Sequence, residues 1–194
     1  KMGSSATKAV TTCVYGPYKI LVFGLIGAGK STVLKNLDLG DVTTITHAGG
    51  QMSEMLKYSI YKFVTWDLEG PELKMEELPK NFLKKTDGVI FVVDKSSDEH
   101  VKNARKALHT LMNQKEMQNT VLLVLGNKED LPEDAVEHIG VGYRLHLQSL
   151  KQSYHVQNCN ASTGDGLFEA MHWLMPVMQE RKFLLPWQKA ERRY

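Results

Sequence analysis

The chain has 194 residues, with 24 Lys plus Arg against 22 Asp plus Glu, a net charge of +2 and a hydrophobic content of 42%. That length suits one domain, and the apolar content argues against a disordered chain. The charge is unevenly spread: Lys1, Lys8 and Lys19 face no acid in the first 19 residues, and Arg181, Lys182, Lys189, Arg192 and Arg193 face only Glu191 in the last 14. The body between is mildly acidic, which is not the basic stripe of a nucleic-acid binder. The basic ends suit an acidic protein partner or peripheral contact with an anionic membrane. Cys13 and Cys159 cannot make a disulfide framework or a four-thiolate zinc site, so a reducing, intracellular setting is expected. No apolar run approaches the roughly 18 residues of a membrane span.

Tyr18–Gly24 reads as a buried strand, and Lys30–Leu37 as a helix opening from a Gly-rich loop. Ser59–Asp67 is a second strand and Gly88–Asp94 a third. Asp98 to Asn113 is an amphipathic helix with Val101, Ala104, Ala107, Leu108 and Leu111 on one face. Val121–Gly126 is another buried strand. Pro132 to about Leu147 holds a helix broken by Gly140 and Gly142. Tyr154–Cys159 is a weaker strand, and Asp165 to Glu180 is a helix with Pro186 past its end. Strands alternating with helices imply a mostly parallel sheet covered on both faces, with ligands at the carboxyl ends of the strands. Residues 18–180 form this domain, 1–17 an N-terminal extension, and 181–194 a basic and apolar tail.

Gly24-Leu25-Ile26-Gly27-Ala28-Gly29-Lys30-Ser31 matches G-x-x-x-x-G-K-[ST] between a strand and a helix. Glycines let the backbone curl so that several N–H groups converge on one anion. Gly27, Ala28, Gly29, Lys30, Ser31 and Thr32 are the expected phosphate cradle. Lys30 supplies a full positive charge, and Ser31 a hydroxyl for Mg²⁺. Asn127-Lys128-Glu129-Asp130 follows the strand Val121–Gly126. The Asp130 carboxylate can accept from the ring N1–H and exocyclic amine of guanine, a pair of donors adenine does not offer together. Asn127 can meet the N7 edge, and the stem of Lys128 can lie over the base. In Asn160-Ala161-Ser162 the Ala161 N–H can reach the guanine O6. Asp67, at the end of the Trp66 strand, is placed for Mg²⁺, and the Gly70 N–H for the terminal phosphate.

Together these residues resemble the small GTPases, and within them the ADP-ribosylation-factor and Arf-like branch. The resemblance covers about residues 18–180. It includes Trp66-Asp67, Phe91-Val92-Val93-Asp94, Asn127 through Pro132, and Thr163-Gly164-Asp165-Gly166-Leu167 leading to Trp173-Leu174. It implies a phosphate-loop NTPase fold with a six-stranded sheet and five helices. It also implies GTP or GDP with Mg²⁺, and switching through protein partners.

Three departures matter. The family's catalytic Gln follows D-x-G-G, but here Asp67-Leu68-Glu69-Gly70 precedes Pro71, which has neither a side-chain amide to orient water nor an N–H. Glu69 and Glu72 place repulsive carboxylates near phosphate oxygens. Where the first switch of the family offers a Thr to Mg²⁺, Thr43-Thr44-Ile45-Thr46-His47-Ala48 puts His47 or Ala48, with Thr46 the closest hydroxyl. The family's aromatic effector cluster keeps Trp66 and Phe82 but loses its first member near Gly50 or Gln51. No catalytic residue is assigned. Nucleotide binding with slow or absent hydrolysis is expected. The alternatives are an active regulatory GTPase in membrane or ciliary trafficking and a frozen structural subunit. A nucleotide kinase ranks lower, because residues 1–100 hold no Arg for a phosphate lid. Met2-Gly3-Ser4-Ser5-Ala6-Thr7 fits an N-myristoylation pattern, which needs Gly3 to come first, yet Lys1 and Met2 precede it. Phe183-Leu184-Leu185-Pro186-Trp187 either folds back on the body or docks on a partner, and docking is favoured.

Overall fold

The computed structural model of the chain describes residues 17–37, 42–46, 52–58, 61–68, 78, 81–128 and 140–191, and the backbone alone of 42–46, 52–58, 67–68 and 183–191. Seven strands form one sheet in the order β2-β3-β4-β1-β5-β6-β7. They are β1 (Tyr18–Leu25), β2 (Val42–Thr46), β3 (Met52–Tyr58), β4 (Tyr61–Leu68), β5 (Gly88–Asp94), β6 (Val121–Asn127) and β7 (Tyr154–Asn158). The helices are α1 (Lys30–Asn36), α2 (Asp98–Met112), α3 (Val141–Arg144) and α4 (Leu167–Glu191). Strands β4, β1, β5, β6 and β7 run parallel, and β2 and β3 pair antiparallel at one edge.

The apolar runs explain the layers. Strands β5 and β6 are Val-, Ile- and Leu-rich and buried on both faces, as central parallel strands must be. Alternate residues split between the faces. Ile20, Val22, Ile90, Val92, Leu123 and Leu125 pack with Val33 and Leu34 of α1 and Leu174 and Met178 of α4. Leu21, Phe23, Val89, Phe91, Leu122 and Val124 pack with Val101, Leu108 and Leu111 of α2. Ser97 caps α2 by accepting from the His100 N–H, and Asp98 and Glu99 complement the positive end of that helix.

The parallel sheet with helices on both faces agrees with the sequence, and several details differ. Of the helix expected from Pro132 to about Leu147, residues 132–139 lie outside the described residues, and Gly142, expected to break it, lies inside the short α3. Among the described residues the sheet has seven strands rather than the six the resemblance implies, and the sequence pattern marks neither β2 nor β3. Strand β2 lies in the segment read as the first switch. Val42, Thr43, Thr44, Ile45 and Thr46 are all β-branched, a composition that favours a pleated edge strand, and they pair with Met52–Leu56. Thr46, taken as the nearest hydroxyl for Mg²⁺, thus lies in a β-ladder opposite Met52. The last helix does not stop before Pro186 but continues to Glu191, so the expected boundary at residue 180 falls inside it. A proline costs a helix one hydrogen bond and crowds one carbonyl. That penalty is local, and Pro176 shows the same helix absorbing it once already. Tertiary contacts also hold the helix past residue 180. Arg181 reaches the Thr120 carbonyl at 3.3 Å, and the Lys182 ammonium lies 3.2 Å from Asp87 and 4.4 Å from the Tyr18 ring centroid. Among the described residues no helix is long and apolar enough to cross a membrane.

Candidate functional site

The register of the parallel strands brings the predicted motifs to one edge. Gly24 pairs with Asp67, and Asp94 pairs with Asn127, so the phosphate loop, the acidic strand end and the base motif leave the sheet side by side. The loop after β1 turns through Gly27 (φ 79°) and Gly29 (φ 100°) into α1. A Cβ on Gly29 would lie 2.3 Å from the Asn127 side-chain nitrogen, whereas one on Gly27 would meet nothing within 4 Å. Glycine at 29 therefore permits contact with the base motif, and glycine at 27 leaves the curl of the loop open.

Lys30 is buried, 4% exposed. Its ammonium donates to the carbonyls of Gly24 at 2.7 Å and Leu25 at 2.8 Å. A full positive charge is thereby held under the loop, where the first-turn N–H groups of α1 have no intrahelical acceptor. Ser31 is exposed on that turn and Thr32 is half-buried behind it.

The structure gives Asn127 a different first role from the expected contact with the base edge. The residue is 4% exposed. Its Nδ2 donates to the Ala28 carbonyl at 2.8 Å, and its Oδ1 accepts from the Ala161 N–H at 2.9 Å. It is a strut joining the phosphate loop to the loop after β7. The Ala161 N–H, expected at the guanine O6, is accordingly committed to Asn127. Asn160 shapes its own turn: Oδ1 accepts from the N–H groups of Ser162 at 2.9 Å and Thr163 at 3.3 Å. Ser162 is exposed. Asn36, which the sequence did not single out, donates from the end of α1 to the carbonyls of Ala161 and Ser162. An Asn at the end of a helix has too many ordinary roles to carry that signal.

Lys128 adopts a left-handed backbone, φ 68°, and its ammonium lies 2.5 Å from Asp94 Oδ2. Asp94 also accepts from the Ser96 N–H at 2.9 Å. Burial pushes the Asp94 carboxyl up, but the Lys128 and Ser96 donors outweigh it and hold the group below the usual carboxylate range. In the sequence Asp94 stands only within a family signature, and nothing local marks Lys128 as its partner. A cavity of about 260 Å³ lies here, bordered by Ile26, Gly27, Ala28, Asp94, His100 and Lys128. A roomier cavity of about 470 Å³ between α1 and the start of α4 is mainly apolar, lined by Leu37, Leu167, Phe168, Met171 and Met175 among others, and lacks phosphate-binding chemistry. No cluster of three or more metal-ligating side chains occurs among the described residues.

Asp67 and Leu68 end β4, described by backbone alone. Gly70 and Asp130 lie outside the described residues, as do Glu69, Pro71, Glu72, His47, Ala48, Gly50, Gln51 and the segment Met2–Thr7. Trp66 and Phe82, named for the effector cluster, are 4% and 9% exposed and pack on each other at 5.0 Å between centroids. They belong to the core here rather than to an exposed aromatic surface.

A Gly-cornered loop between a parallel strand and a helix, a buried lysine beneath it and a base motif two strands away define a phosphate-loop nucleotide-binding α/β protein. The model of the ADP-ribosylation factor family matches residues 8–178, most of the chain, and the chain belongs to that family. It is a GTP-binding Arf-like protein, in a family whose members generally bind guanine nucleotide with Mg²⁺ and act with protein partners.

Proposed function

We propose that this protein holds guanine nucleotide but hydrolyses GTP slowly or not at all, and acts as a regulatory or scaffolding subunit through protein partners. The observation that carries the reading is Pro71, directly after Asp67-Leu68-Glu69-Gly70. A proline there supplies neither a side-chain amide nor an N–H to orient an attacking water. Binding draws on groups contacted in every nucleotide state, and those are present. Gly27–Thr32 cradle phosphates, with Lys30 as their counter-charge. Lys128 and Asp130 flank and read the base, Asn160, Ala161 and Ser162 close its far side, and Asn127 braces both loops. Ser31 and Asp67 are the residues that would hold Mg²⁺, which neutralises phosphate charge when bound, and the Gly70 N–H is the group that would meet the terminal phosphate. Switching needs contacts that distinguish GTP from GDP, and Glu69 and Pro71 stand where such contacts are made in the family. Burial of Trp66 and Phe82 further suits a partner surface unlike the usual aromatic one.

Single-turnover hydrolysis of GTP by the purified chain tests this. The expected rate is at least about tenfold below that of an ordinary family member, with Pro71→Gln raising it. An ordinary rate that Lys30→Ala abolishes would defeat the slow-hydrolysis reading. Native protein that carries no guanine nucleotide and binds none would defeat the rest.

A further inference from the structure

Asp94 is the last residue of β5, and its Cα lies in register with Asn127 at the end of β6. Its side chain is 13% exposed, and three groups surround it: the Ser96 N–H at 2.9 Å, the Lys128 ammonium at 2.5 Å and His100 Nδ1 at 3.4 Å. His100 Nδ1 is also 3.1 Å from Ser96 Oγ. The Ser96 N–H orients one carboxylate oxygen, and the other is left for Lys128. Lys128 for its part sits in a left-handed conformation that L residues rarely adopt. An unsupported lysine there would relax its backbone or swing into solvent, since a long flexible stem loses much rotamer freedom when fixed. The ion pair opposes both movements. It also places the Lys128 stem on the rim of the cavity that Gly27 and Ala28 of the phosphate loop share.

We propose that Asp94 is a positioning residue for the nucleotide site: its carboxylate anchors Lys128 beside the phosphate loop and thereby sets how long the nucleotide stays bound. This rests on the guanine-nucleotide reading above. The chemistry is preorganisation. A lysine stem already fixed next to the base position loses less freedom when the nucleotide arrives, and it must break a charge-assisted hydrogen bond before it can swing away. The effect falls mainly on dissociation, because opening the base loop is the step that the pair resists.

A double-mutant cycle on the full chain tests it, following release of a fluorescent GDP analogue chased with excess GDP. Asp94→Asn keeps an acceptor for the Ser96 N–H but removes the charge. Release is expected to quicken about five- to tenfold. In a Lys128→Met background the same change is expected to add less than about twofold, because the group through which Asp94 acts is gone. An unchanged rate for Asp94→Asn overturns the proposal. So does an equal acceleration in both backgrounds, which would mark a merely structural role. Asp94→Ser, smaller but still an acceptor, serves the same cycle if the Asn variant does not fold. Wild-type chain that binds no fluorescent GDP would overturn the nucleotide reading and this proposal together, whereas failure confined to the Asp94 variants leaves nucleotide binding standing.

Discussion

Asn127→Ala is the most informative change, because one side chain joins two loops. It removes the donor to the Ala28 carbonyl and the acceptor for the Ala161 N–H, both on residues no more than 2% exposed. Leaving a buried backbone group unsatisfied costs about 1–3 kcal/mol. Two such groups give about 2–6 kcal/mol, toward the lower end where the loops relax enough to admit water. For a chain of this length 1 kcal/mol moves Tm by about 2–4 °C, so Tm should fall by at least about 4 °C. Thermal unfolding followed by circular dichroism, with EDTA and no nucleotide, isolates this from ligand linkage. A second variant sharpens the argument. Asn127→Asp keeps the shape and the acceptor for Ala161 but sets a carboxylate oxygen where Nδ2 lies, 2.8 Å from the Ala28 carbonyl oxygen. The two oxygens repel unless the carboxyl keeps its proton, so its folded-state pKa must exceed the ordinary Asp value near 3.9. The folded chain then binds more protons than the unfolded chain above that value. Stability must fall as pH rises and recover toward acid, relative to wild type. A Tm loss below about 2 °C for Asn127→Ala, or a pH-independent deficit for Asn127→Asp, would refute the strut.

Three further outcomes are expected. Gly29→Ala places a methyl 2.3 Å from the Asn127 nitrogen at φ 100°. It should weaken binding of a fluorescent GDP analogue by at least about tenfold in a titration, since both strain and the lost strut act at the loop. The Lys19 pKa is lowered to about 8, by burial first and by Lys62 next, with Asp87 opposing. A depressed lysine pKa means that the folded chain releases its proton first, so between about pH 8 and 10.5 this group makes stability rise with pH. Chemical denaturation across that range should lose that rise in Lys19→Met. Cys159 is a buried thiol. Its labelling by a thiol reagent should therefore be slow in native buffer and fast in denaturant, and prompt native labelling would contradict its place in the core.

Elements whose signals are local and dense are legible in the chain alone. The continuous apolar runs at Gly88–Asp94 and Val121–Asn127, the amphipathic spacing of Asp98–Met112 and the glycines before Lys30 each state their structure within a few residues. Spacing alone marked a phosphate loop after one strand and a base motif after another. Packing and register across the sheet fix what those residues touch. That Asn127 spends its amide on Ala28 and Ala161, and that Lys128 turns to Asp94, follows from the register of β1, β5, β6 and β7, which joins residues more than thirty positions apart. The extension of the last helix through Pro186 and the β2 edge strand were likewise settled by packing and ladder partners, whose contributions outweigh a single proline or a loop-like motif. Local propensities are worth tenths of a kcal/mol to a few kcal/mol, and a buried polar group without a partner costs as much as the largest of them. Side-chain pairing at the site is therefore set by the assembled sheet and only permitted by the sequence.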